Sequence, residues 1–88
     1  IIPIEISNLL NLKILEFSHN KIELIPTKIF NLLNLIKLNI SNNEISVIPK
    51  EIYHLSNLGE LNLSNNKISI IPIELGNLFK LYIPRTIT

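Results

Sequence analysis

The side chains of this chain that could do chemistry are two histidines, seven glutamates and a register of serines. His19 and His54 are separated by 35 residues and sit in different contexts. His19 occupies the position that Asn42 and Asn65 hold elsewhere in the chain, and His54 that of Asn8, Asn31 and Asn77. A proton relay or a metal site needs its ligands to converge, so these two read as solvated surface histidines. Ser18, Ser41 and Ser64 recur every 23 residues. A serine nucleophile needs an adjacent base, and no His or carboxylate recurs beside them; threefold repetition fits a structural role. Without cysteine there is no thiol nucleophile, disulfide or thiolate metal ligand. Gly59 and Gly76 alone cannot form a glycine-rich phosphate loop. These residues predict no enzyme, no cofactor and no metal.

Composition narrows the classes further. A formal charge of +1 over 88 residues is no footprint for nucleic acid. Apolar runs such as Ile70-Ile71-Pro72-Ile73 are far too short to span a bilayer, so no membrane partner is expected, and no charged leader precedes an apolar stretch. The chain starts at Ile1 and contains no Met, which points to a segment of a larger protein. A cytoplasmic parent is the expectation, with a secreted or surface parent as the alternative.

Stepping along the chain, the spacing of 23 governs every element. Pro3, Pro26, Pro49 and Pro72 share it, as do Asn20, Asn43 and Asn66. So do Leu12, Leu35, Leu58 and Leu81, and the trios Leu15, Leu38, Leu61 and Ile22, Ile45, Ile68. The 19 Ile and 16 Leu are mostly such columns rather than the core of a small globule. The units are a partial one at 1–11, whole ones at 12–34, 35–57 and 58–80, and a degenerate remnant at 81–88, where Pro84 replaces the strand leucine and removes a ladder donor.

Leu12 to Ile22, Leu35 to Ile45 and Leu58 to Ile68 all read L-x-x-L-x-[FIL]-S-x-N-x-I. This resembles the leucine-rich repeat over nearly the whole chain. The next half, I-P-x-x-[IL]-x-x-L, is similar to the 23-residue type of intracellular scaffold, signalling and bacterial repeat proteins. Ile71 to Leu81 is also similar to plant receptor repeats, although the Gly those place ahead of Ile-Pro is absent. The resemblance implies an α/β repeat solenoid, with a parallel sheet on its concave face and short 3₁₀ or α segments on its convex face.

The residues support the same elements. Alternation around Leu38 and Ile40 is strand periodicity; it predicts Leu38 and Ile40 inward, with Lys37, Asn39 and Ser41 outward. Asn43 tolerates unusual backbone angles and suits a turn. The resemblance implies that Asn20, Asn43 and Asn66 stack as a buried ladder bonding loop backbone. Ile48-Pro49 predicts a helical start with Pro at the first helical position, and Ile52 and Leu55 share the face of one turn.

Function then falls to surfaces. The outward strand grid is Ile14, Lys37 and Glu60; Glu16, Asn39 and Asn62; and Ser18, Ser41 and Ser64. The resemblance implies binding of a protein partner there, and hence a non-catalytic interaction module. Alternatives are the targeting segment of a larger enzyme (kinase, ligase or phosphatase) or a purely structural solenoid, with end-to-end self-association. Leu24, Phe30, Val47, Tyr53 and Ile70 form a second, convex candidate patch. Asn39-Ile40-Ser41 and Asn62-Leu63-Ser64 match the glycosylation acceptor pattern, and are read as repeat filling.

Overall fold

A computed structural model of the chain describes residues 2–69. Short strands alternate with 3₁₀ helices in the order η1 (Ile4–Asn8), β1 (Ile14–Glu16), η2 (Thr27–Asn31), β2 (Lys37–Asn39), η3 (Lys50–His54), β3 (Glu60–Asn62). The strands form one parallel sheet in the order β1-β2-β3. Ile14, Leu15 and Glu16 pair with Lys37, Leu38 and Asn39, which pair with Glu60, Leu61 and Asn62. Structural register therefore equals the sequence spacing. Each helix packs on the helix of the next unit, on the side opposite the sheet.

The stacked leucines explain why the units hold this register. Leu15, Leu38 and Leu61 are buried at the centre of each strand, and Ile22, Ile45 and Ile68 follow them after the turn. Ile29 and Ile52 close the core from the helices, with Leu35, Leu58, Ile40 and Leu63 between. Each buried Leu or Ile contributes about 1.5–3 kcal/mol. One unit alone exposes these side chains on both flanks, so the stabilisation arises between units.

The helices are 3₁₀ throughout, each of five residues. The prolines precede them rather than occupying the first helical position. Pro3, Pro26 and Pro49 are N-caps with φ between −63° and −61° and ψ of 126°, 131° and 143°. Their carbonyls accept the N–H of Ile6, Ile29 and Ile52, each at 3.1 Å. A proline ring forces the residue before it to be extended, so Ile25 and Ile48 are delivered into the core as extended backbone before the helix begins. Leu9, Leu32 and Leu55 then donate to Ile6, Ile29 and Ile52 and end each helix.

The turn after each strand uses a left-handed residue: His19 (φ 59°), Asn42 (φ 58°) and Asn65 (φ 58°). Asn and His are among the residues that tolerate this region. The His19, Asn42 and Asn65 column is thus explained by backbone geometry. Replacing Asn65 with Val is expected to lower stability by about 1–2 kcal/mol, because a β-branched side chain is strained there. Asn65→Gly is expected to stay within about 0.5 kcal/mol of the parent. Urea midpoints of the two variants check the pair.

Beyond the left-handed residue comes the asparagine ladder. Asn43 Oδ1 accepts Ile22 N–H at 3.0 Å, and its Nδ2 donates to the carbonyls of Phe17 (2.8 Å), Ile40 (3.1 Å) and Ser41 (3.1 Å). Asn66 repeats this one unit on, accepting Ile45 N–H and donating to Ile40, Leu63 and Ser64. Asn20 departs from the buried ladder. It is exposed and donates only to Phe17 and Ser18 within its own turn.

Candidate functional site

The sheet presents two outward columns. In the first, Ile14 is 58% exposed and Lys37 and Glu60 are half-buried. Lys37 reaches across both neighbouring strands: its Nζ lies 3.6 Å from Glu60 Oε2 and 3.9 Å from Glu16 Oε2. Such a solvent-exposed bridge contributes at most about 1 kcal/mol. Its consequence is positional, since three charges on three strands hold one another in place.

In the second column, exposed Glu16 is followed by half-buried Asn39 and Asn62. Asn39 Oδ1 accepts Ser41 N–H at 3.0 Å and Ser41 Oγ–H at 2.7 Å. Asn62 Oδ1 accepts the same two groups of Ser64, at 3.1 and 2.7 Å. These are Asx-type turns, in which a side chain bonds backbone two residues on. They correct the outward placement of Ser41. Folding its hydroxyl back onto Asn39 leaves Ser41 buried at 4% exposure, so it is part of the turn and not of the contact face. Ser18 and Ser64 are half-buried.

The convex candidates separate. Leu24 and Val47 are 77% and 62% exposed, and Tyr53 is 44% exposed with its ring 4.4 Å from that of His54. Phe30, in the same column as Tyr53, is fully buried and does not belong to that surface. It lies on η2, which has a helix packed on each side, and it lacks the hydroxyl that keeps a tyrosine tip in water. Ile70 lies outside the described residues. An open groove of about 390 Å³ adjoins Leu24, lined by Ile2, Lys21, Ile22, Glu23 and Pro26. A further exposed apolar strip on the rim before the strands, Leu10, Leu33 and Ile36, was not singled out in the sequence. The column is broken in the sequence, where the third repeat carries Ser56 and Gly59.

A second amide ladder also went unread. Asn34 Nδ2 donates to Leu10 O at 3.0 Å and Asn57 Nδ2 to Leu33 O at 3.2 Å. The spacing of Asn11, Asn34 and Asn57 was the available signal. Among the described residues, no three His, Cys, Asp or Glu side chains come together to hold a metal ion. No helix among them is long and apolar enough to cross a membrane.

Comparison with known proteins accounts for this geometry. A family model described as leucine rich repeat matches residues 10–68 and 34–85. The chain belongs to the leucine-rich-repeat family. Leucine-rich repeats generally mediate protein–protein interaction, and no catalytic family is indicated. A solved leucine-rich-repeat protein of Leptospira interrogans is 43% identical, with a TM-score of 0.89 over 93% of this chain and 21% of its own. The plant peptide hormone receptor RGFR1, solved in complex with RGF2, is 39% identical, with a TM-score of 0.86 over 98% of this chain and 14% of its own. The leucine-rich-repeat ectodomain of the Arabidopsis thaliana membrane receptor kinase GASSHO1/SCHENGEN3, in complex with CASPARIAN STRIP INTEGRITY FACTOR 2, is 38% identical. Its TM-score is 0.85 over 96% of this chain and 10% of its own. The chain thus spans about a fifth or less of these relatives. No curated protein matches it.

Proposed function

We propose that this chain is a non-catalytic binding segment that engages a protein or peptide partner through the outward face of its strands. The carrying observation is the restraint on that face: Lys37 is held between Glu16 and Glu60, and the Asn39 and Asn62 carboxamides are held by their serines. Side chains already ordered before binding lose less entropy on association. Exposed Ile14 beside the charges supplies an apolar contact. Two of the similar structures are receptors with a partner bound, which supports a protein or peptide as the ligand class. The second of them is a receptor kinase, which favours the related reading that such a segment serves as the recognition part of a longer signalling protein.

The test is a random peptide library displayed on phage and selected on the immobilised 88-residue chain. Peptides enriched on the parent are expected to lose at least tenfold in affinity on a variant carrying Ile14→Arg and Glu60→Arg, with the fold checked by circular dichroism. Unchanged binding to the folded variant overturns the assignment of the strand face. Asn39→Arg with Asn62→Arg would be a poorer choice, because each Oδ1 holds a turn together.

A further inference from the structure

The two Asx turns fix more than the chain path. A backbone N–H can only donate, so the atom of Asn39 facing Ser41 N–H is its oxygen, and likewise for Asn62 and Ser64. With Oδ1 also accepting the serine hydroxyl at 2.7 Å in both cases, each carboxamide plane is anchored twice. The Nδ2 of Asn39 and of Asn62 donates to no group among the described residues, and neither is a buried unpartnered atom. Among the described residues, each amide is therefore left without an acceptor while its plane is fixed by the turn. The two asparagines are register partners on adjacent parallel strands, about 4.8 Å apart. In the same column, on β1, the residue is Glu16, an acceptor with a negative charge. Glu16 is exposed, with its carboxylate 3.9 Å from the Lys37 Nζ.

We infer that Asn39 and Asn62 form a paired amide-donor subsite for one carboxylate, with Glu16 as the companion site for a cation, so that the partner is an extended peptide carrying an acidic and a basic residue two positions apart. The inference rests on the proposed role of the strand face and adds its chemistry. Strand spacing sets the match. A carboxylate bridging the two amides sits midway between β2 and β3, about 7 Å from the Glu16 position on β1. An extended peptide crossing the strands places same-face side chains two residues apart at about 7 Å as well. The carboxylate meets two amide donors, and the cation meets Glu16. A peptide with the same two charges on neighbouring residues points them to opposite faces and cannot satisfy both.

The probe is an acetylated, amidated peptide Ser-Gly-Asp-Gly-Lys-Gly-Ser, compared with Ser-Gly-Gly-Asp-Lys-Gly-Ser, each titrated into the ¹⁵N-labelled 88-residue chain. The first is expected to shift the side-chain amide resonances of Asn39 and Asn62 and to bind at least fivefold more tightly than the second. N39D with N62D keeps the oxygen that holds each serine and replaces the outward amide by an acceptor; it is expected to lose at least tenfold in affinity while retaining its fold by circular dichroism. E16Q is expected to abolish the advantage of the first peptide over the second. Equal binding of the two peptides, shifts confined to other residues, or indifference to N39D with N62D overturns the inference. If phage-selected peptides still depend on Ile14 and Glu60 while ignoring N39D with N62D, the strand face stands as the binding surface and the amide subsite is wrong.

Discussion

Asn43→Ala is expected to lower the free energy of unfolding by about 3 kcal/mol, with a matching fall in the urea midpoint. The side chain is buried and makes four hydrogen bonds, one of them the sole acceptor contact of the Ile22 N–H. Its loss orphans the N–H of Ile22, itself buried, and a buried unpaired donor costs about 1–3 kcal/mol. The carbonyls of Ile40 and Ser41 each lose one donor in the same step but keep another, Asn66 Nδ2 and His19 N–H, so the orphaned Ile22 N–H and the vacated space carry most of the loss. A chain of this length has roughly 4–13 kcal/mol in all, so the change is large. Asn43→Asp should not rescue it, because a carboxylate would face the carbonyl oxygens of Phe17, Ile40 and Ser41. Asn20→Ala supplies the control, at less than about 1 kcal/mol. Asn20 is exposed, and the Phe17 carbonyl it serves also accepts from Asn43. Equal losses for Asn20→Ala and Asn43→Ala would mean that the amide acts within its own turn and not between repeats.

Phe30→Ala should be as damaging, costing about 3–5 kcal/mol. The ring is fully buried among the stacked helices, and close-packed surroundings collapse only partly around the void. Tyr53→Ala removes an aromatic ring from the same repeat position but should cost less than about 1.5 kcal/mol, since Tyr53 keeps much of its surface in water. Thermal and urea unfolding of the two variants side by side would show the difference. Comparable losses would place both rings in the core and contradict the exposure of Tyr53.

The same pairs show how far the residues could be read without coordinates. The repeat, its strands, its convex helices and its turns were legible because each column recurs in units that must stack to bury their leucines. Parallel pairing in the sequence register follows from that requirement, as Leu15, Leu38 and Leu61 illustrate. The prolines were legible as helix markers but were set one position too late, because a missing N–H and a restrained φ suit a cap as well as a first helical residue.

The candidate site was legible only as a grid. Alternation assigned Ser41 to the outside, and an acceptor two residues earlier drew it in. Phe30 and Asn20 were assigned by the company of their columns, but burial depends on what packs against each flank of a given unit. From its residues alone, then, this chain determines a repeat architecture, the register of its sheet and the rows of side chains available to a partner, since these follow from a period of 23 and the need to cover apolar surface. Tertiary structure alone decides which member of a row is buried and where its donors point. Those outcomes rest on hydrogen bonds and packing between units, and a linear spacing carries no record of direction across the stack.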